Sequence, residues 1–185
     1  MSTRSIIARK TEEGFMGTYH HWDGYPSGLG YSLWHIYKSI AVDQEGTLED
    51  MLDLLIDAHP TGWSSINGVD WTQPIGYVSD YVKGKEMNAP MCFCHGDRQE
   101  TVDEPFTNLT NCGAEFAYAF EKDKEKETDL MHIYEKQYDD GSHAMEFFGM
   151  TNPDGGWKLV ETVDLLERNE PNWKGIGSWG ADNND

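Results

Sequence analysis

The 185 residues of this chain suit one domain, long enough to bury about two-thirds of the surface that the unfolded chain exposes. Hydrophobic residues make up 38% of the chain and aromatic residues 12%, which argues against a disordered protein. Acidic residues number 33 and basic residues 14, for a formal net charge of −19. Because such a surface repels a phosphate backbone, the composition argues against direct nucleic-acid binding. Solubility, a basic protein partner and a salty environment all remain open as explanations of the charge.

The compartment is indicated by features that the sequence lacks. Residues 1–5 do not form the apolar run of a signal peptide, and no stretch of about 18 apolar residues occurs. Three cysteines, an odd number, do not make a disulfide framework. We therefore expect a soluble protein of a reducing cytoplasm without a membrane partner. Whether the chain forms a homo-oligomer is left open.

In chain order, the first predicted elements are strands at residues 5–10 and 15–22, joined by a turn into an N-terminal hairpin. Ser27 is predicted to cap a helix that runs to about residue 42, with apolar side chains at helical spacing along one face. That face consists of Leu29, Leu33, Trp34, Tyr37 and Ile40.

Thr47, with Asp50 three residues later, predicts a capping box that opens a second helix ending before Pro60. An apolar stripe on this helix is expected to face the core. The stripe consists of Leu48, Met51, Leu52, Leu55 and Ile56.

The rest of the chain has the pattern of strands and turns. Glycine and proline interrupt residues 61–90, which predicts loops with short strands, and the Lys-Glu run at 121–127 predicts a solvated turn. Further strands are predicted at 91–95, 115–120, 129–137, 144–150 and 157–163, the last of which is alternatively the start of a short helix. The predicted class is α+β, with a mostly antiparallel sheet, an N-terminal hairpin and two helices packed on one face. Residues 1–170 are expected to form one domain, and residues 171–185 an acidic tail rich in Gly and Asn.

The first candidate site is the stretch from His20 to Gly28, where imidazole, indole, carboxylate and phenol groups are crowded together. His21 and Asp23 are two residues apart, so in a strand they share a face, and the carboxylate can orient the imidazole. The alternative is structural: Trp22 and Tyr25 pack, and Asp23 caps the turn that leads into the helix.

The second candidate is the run from Cys92 to Arg98. It is a partial match to a zinc site, but no second ligand pair follows, so we expect no metal there and interpret the cysteines as buried core residues. His95, Asp97 and Arg98 follow a predicted strand end, where Arg98 can bind a carboxylate or phosphate in bidentate fashion. An internal ion pair of Arg98 with a carboxylate is the alternative.

The third candidate is Arg4, one of four arginines, which stands among three hydroxyl residues at the start of the first strand. This arrangement can hold an anion, and a hydrogen-bonded strand start is the alternative. The sequence contains no Gly-rich phosphate loop, G-x-S-x-G elbow or H-E-x-x-H helix, and we expect no cofactor.

Four segments in order resemble a family of small proteins encoded by bacteriophages and prophages. They are Ser2 to Ser5, His21 to Pro26, Cys92 to Arg98 and Glu115 to Tyr118. The resemblance spans roughly residues 2–135 and implies a phage accessory gene expressed in a bacterial cytoplasm. It implies no catalytic role for any residue.

Our leading hypothesis is a phage accessory protein, acting in counter-defence, that binds a small anionic ligand such as a nucleotide without turnover. Its candidate ligand-binding residues are Arg4, His21, Trp22, Asp23, Tyr25, His95, Asp97 and Arg98. One alternative is a hydrolase or nucleotide-modifying enzyme that uses the His/Asp pairs as acid–base groups. Another is an acidic protein that binds and inhibits a basic host protein, with an affinity that falls as salt is added.

Overall fold

In a computed structural model of the chain, the described residues are 3–12, 14–66, 91–93, 113–137, 146–147, 150–151 and 157–177. The N-terminal hairpin is present as predicted, with strand β1 at Ser5–Thr11 and strand β2 at Gly14–His20. The two strands are antiparallel, and Ser5 lies opposite His20. The first four residues of β1 are all buried, which is the pattern of a central strand covered on both faces.

The first helical segment follows the hairpin. A π-helical turn at Pro26–Gly30 leads into helix α1, Tyr31–Lys38, and a second π-helical turn covers Ser39–Asp43. The predicted apolar face, from Leu29 to Ile40, is buried throughout. The prediction that Ser27 caps this segment is wrong. Tyr25 occupies the cap position but its side chain makes no capping hydrogen bond to the helical turn, and Pro26, whose ring fixes φ, begins that turn.

The second helical segment begins as the sequence predicts. Helix α2, Leu48–Leu52, is followed by a π-helical turn at Asp53–Asp57. The Thr47 hydroxyl accepts a hydrogen bond from the Asp50 N–H (3.2 Å), and the Asp50 carboxylate accepts one from the Thr47 N–H (2.7 Å). The predicted apolar stripe is buried along its length.

This capping box gives a test of local structure. Thr47→Ala is expected to lower the free energy of unfolding by about 1 kcal/mol, because the first turn of α2 loses a side-chain acceptor. Urea unfolding followed by circular dichroism measures the effect. Ser27→Ala is the matched control, since the exposed Ser27 is not a cap and its loss is expected to change the free energy of unfolding by less than about 0.5 kcal/mol. Equal losses in the two variants would contradict the assignment.

The other strands complete a sheet of seven described strands in the order β4-β3-β2-β1-β5-β6-β9. They are β3 (Trp63–Ser65), β4 (Met91–Cys92), β5 (Phe116–Asp123), β6 (Thr128–Lys136) and β9 (Trp157–Asp164). Strands β7 (Glu146–Phe147) and β8 (Met150–Thr151) pair with each other outside this sheet.

The class is α+β, but the sheet is mixed, so the expectation of a mostly antiparallel sheet is wrong. Strand β1 is parallel to β5, and β2 is parallel to β3. A parallel neighbour requires a long crossover, and between β2 and β3 the chain passes through both helical segments. Alternation of side chains marks each strand but does not say which strand lies beside it.

Several strand boundaries also differ from the prediction: the second strand, predicted at 15–22, ends at His20. Strand β5 continues to Asp123, so only the second part of the Lys-Glu run forms the exposed turn before β6. The segment predicted as one strand at 144–150 contributes to two short strands instead. The last predicted strand, at 157–163, is a strand and not a helix.

The sheet has a buried apolar cluster on each face. On the first face, Ile7, Phe116 and Tyr118 share one cluster with residues of both helical segments. On the second face, Ile6 and Ala117 belong to a separate cluster. Because consecutive residues of a strand point to opposite faces, position along β1 or β5 determines which cluster a side chain joins.

Candidate functional site

One edge of the sheet brings together three of the chain segments that the sequence singles out. Ser5 pairs with His20 in the hairpin and with Phe116 in the parallel ladder. Arg4, immediately before Ser5, and His21, immediately after His20, therefore leave the sheet at the same edge. Glu115 joins them there, because its N–H donates to the Arg4 carbonyl at 2.9 Å.

Strand alternation assigns Arg4 and His21 to the second face. Arg4 lies two residues before Ile6, and His21 two residues after Tyr19; both of these apolar residues belong to the second-face cluster. Arg4 is exposed and His21 is half-buried. A guanidinium and an imidazole thus stand at neighbouring strand positions at this edge.

His21 is held by aromatic neighbours. Its Nδ1 is 2.6 Å from the Tyr19 hydroxyl, a short hydrogen bond. Tyr19 stacks on Phe93 with ring centroids 6.2 Å apart, and the Trp22 ring meets His21 edge-on at 4.8 Å. Tyr19 is not among the candidate residues of the sequence analysis, although its position two residues before His21 assigns the phenol to the same face.

The surroundings of Arg4 include a carboxylate and a glycine. Burial raises the pKa of Glu115, and the backbone N–H and positive charge of Arg4 oppose that shift. The guanidinium lies over Gly113, where an added Cβ would stand 2.8 Å from Arg4 Nη1. With φ of +70° as well, position 113 favours glycine on both counts.

Asp23 and Tyr25 belong to the turn between β2 and the first helical segment. Asp23 has a left-handed φ of 55°, and its carbonyl accepts a hydrogen bond from the Leu29 N–H. Burial raises the pKa of the Tyr25 phenol, which is further raised by the charge of Asp23 and a hydrogen bond to its carboxylate. The structure therefore joins Asp23 to Tyr25, while His21 bonds to Tyr19.

Gly24 fits into the start of β1 with no room for a side chain. Its N–H donates to the Thr3 carbonyl at 2.8 Å, and its carbonyl accepts from the Tyr118 hydroxyl at 2.7 Å. An added Cβ would stand 2.5 Å from Ser5 Oγ and 2.7 Å from the Thr3 oxygen. The Gly-Tyr-Pro part of the stretch therefore anchors the turn to the sheet.

The other predicted ligand-binding residues, His95, Asp97 and Arg98, lie outside the described residues, as do Cys94 and Cys112. Cys92 is buried in strand β4. Within the described ranges, no group of three His, Cys, Asp or Glu side chains is arranged to hold a metal ion.

No family model matches the chain, and neither a curated protein nor a solved structure is similar to it. The resemblance to phage-encoded proteins thus stays a prediction. Among the described residues, no helix combines the length and apolar character needed to cross a membrane.

Proposed function

We propose that this protein binds a small anionic ligand, such as a nucleotide, at the sheet edge formed by Arg4, His21 and Trp22, and that it does not convert the ligand. The observation that carries the proposal is the pairing of Ser5 with His20, because the exposed Arg4 immediately before β1 and the half-buried His21 immediately after β2 then lie at the same end of two adjacent strands. A guanidinium binds phosphate or carboxylate oxygens in bidentate fashion, and an indole offers a stacking surface to a planar ring.

The biological setting is part of the same proposal. We infer a phage accessory protein that acts in a bacterial cytoplasm against a host defence, on the strength of the four motif segments. Arg98, His95 and Asp97 are proposed to extend the site because they form the second cluster of charged and titratable residues in the four motif segments. A ligand that serves as a host signal would be withdrawn from solution by such a protein.

The packing of the two helical segments against the sheet is also part of the proposal. We infer that both helical segments pack on the first face of the sheet, leaving the ligand to the second. The support is the common apolar cluster of Leu33, Met51 and Ile7. Arg9 at the far end of β1 donates to Asp53 and Asp57 at 2.8 Å each, an additional connection between sheet and helical segment.

Titration calorimetry with cyclic and linear nucleotides tests the proposal. Arg4→Ala is expected to weaken binding by roughly tenfold to a hundredfold, because a hydrogen bond to a charged group contributes about 1.5–3 kcal/mol. Arg168→Ala is the matched control: Arg168 is also an exposed arginine, but it lies beyond β9. The nucleotide affinity of the Arg168→Ala variant is expected to equal that of the unmodified protein.

Two results would overturn the proposal. One is the absence of binding to every nucleotide tested, and the other is an equal affinity of the Arg4→Ala variant and the unmodified protein. Loss of binding in both arginine variants would indicate attraction by overall charge and not a site at this edge.

A second candidate function is an enzyme that modifies a nucleotide, and the observation that favours it is the 2.6 Å bond between Tyr19 and His21. A phenol that orients an imidazole can support proton transfer. Mass analysis of each nucleotide after incubation with the protein and divalent metals separates the two functions. Recovery of unchanged ligand after denaturation supports binding, whereas a product that disappears in His21→Ala supports the enzyme.

A further inference from the structure

His20 is a buried polar side chain that the proposed site does not use. It lies at the end of β2 on the first face, and none of its surface is exposed. Its Nδ1 is 3.3 Å from Ser5 Oγ on β1, and its Nε2 accepts a hydrogen bond from the Ile66 N–H at 3.3 Å. One ring therefore connects β1, β2 and the residue that follows β3.

The Ile66 contact determines the tautomer of His20. A backbone N–H can only donate, so Nε2 is the acceptor, and the proton of the neutral ring is on Nδ1, from which it donates to Ser5 Oγ. A second proton would have to go on Nε2, facing the Ile66 N–H. The hydrogen bond would then be lost, and a positive charge would be buried without a carboxylate partner among the described contacts.

The groups around the ring reinforce this preference. Ser5 from β1 and Ile66 beyond β3 offer polar but uncharged atoms, and Trp63 lies directly across the β2–β3 pair. His21, next along the chain, is a titratable neighbour whose charge repels a proton on His20. Burial first and His21 second lower the pKa of His20 to about 3.

We propose that His20 is an acid-sensitive latch, which ties the chain at Ile66 to the edge of the sheet at neutral pH and releases it when the ring is protonated. Release affects the edge that carries Arg4, because the His21 and Trp22 N–H groups donate to Trp63 and Ser64 at 3.0 Å each. The latch does not depend on the proposed ligand.

The direction of the pH effect follows from the two pKa values. A released His20 has the ordinary pKa of 6.5, whereas the latched ring has a pKa of about 3. The latched state is therefore fully favoured above pH 6.5 and loses its advantage as the pH falls toward 3. Between these limits, the ratio of released to latched protein rises about tenfold for each unit by which the pH falls.

Amide hydrogen exchange at Ile66, measured without nucleotide and corrected for intrinsic exchange, tests the latch. From pH 7 to pH 5, the opening equilibrium at Ile66 is expected to rise about twenty-five-fold, while the Tyr118 amide in central strand β5 stays protected. His20→Gln supplies an oxygen acceptor that does not titrate, and it is expected to remove this rise.

Ring NMR of His20 in the unmodified protein gives a second measurement that needs no variant. A proton on Nδ1 at neutral pH, and no titration near pH 6.5, are the expected results. The latch is overturned if the ring titrates near pH 6.5, if Ile66 protection does not change with pH, or if His20→Gln keeps the same pH dependence. None of these outcomes depends on whether Arg4 binds a nucleotide.

Discussion

Replacing Gly24 with alanine is expected to lower the free energy of unfolding by about 2 kcal/mol, because the new methyl group has no space. Its Cβ would stand 2.5 Å from Ser5 Oγ and 2.7 Å from the Thr3 carbonyl oxygen. The Thr3 oxygen is backbone and cannot turn away, so the turn must move off the start of β1. That movement would also weaken the buried hydrogen bond from Tyr118 to the Gly24 carbonyl.

Gly175→Ala is the matched control for this substitution. A Cβ at position 175 would meet Asn172 Nδ2 at 3.1 Å, and this atom is the end of a flexible side chain. Urea unfolding is therefore expected to show a loss of less than about 0.5 kcal/mol for Gly175→Ala. A Gly24→Ala variant as stable as this control would show that the turn does not depend on the close contact.

The Gly24 variant bears on how the His-Trp-Asp-Gly-Tyr-Pro segment should be interpreted. Gly24, Tyr25 and Pro26 join the sheet to the first helical segment. The fold therefore explains the presence of these three residues in the motif. His21 differs, because it lies on the second face beside Arg4. A single short motif thus contains both an architectural part and the candidate site, and strand alternation separates them.

The helical segments show what the sequence predicts well. Leu33 and Met51 are buried because each lies on an apolar face whose spacing matches the helical repeat. The capping box of Thr47 and Asp50 is equally local, since both partners belong to one turn. Such features need only the residues within a few positions of each other.

The candidate site depends on contacts that are distant in the sequence, and prediction was weaker there. Spacing predicts that Asp23 shares a face with His21, but the left-handed φ of Asp23 departs from strand geometry, and its carboxylate also accepts a hydrogen bond from Tyr25, which the spacing does not predict. The neighbours of Arg4 follow from the parallel pairing of β1 with β5, which separates partners by more than a hundred residues. Side-chain alternation carries no information about that pairing.

His20 and His21 illustrate the same limit. They are adjacent in the sequence, yet one is wholly buried and the other half-exposed. Alternation predicts that they point to opposite faces, but only the position of Ile66 identifies the acceptor atom of His20. The low pKa of His20 therefore comes first from its burial, and its tautomer from a residue forty-six positions away.

Leu33→Ala is expected to lower the free energy of unfolding by about 3 kcal/mol, and this result tests the packing of α1 on the sheet. Leu33 is fully buried in the cluster that contains Ile7 of β1 and Phe116 of β5. Truncation to alanine removes apolar surface from the interior and leaves a cavity in the apolar cluster that Leu33 shares with β1 and β5. Because α1 follows the turn at Gly24, the same loss is expected to loosen the attachment of that turn.

Leu166→Ala provides the comparison, because the Leu166 side chain is 54% exposed. Its loss is expected to cost less than about 0.5 kcal/mol in urea unfolding. Similar losses for the two leucines would contradict the inferred packing of the helices on the first face. A large loss for Leu33→Ala alone, with unchanged nucleotide affinity in the folded variant, would separate the helix-covered face from the face that carries Arg4 and His21.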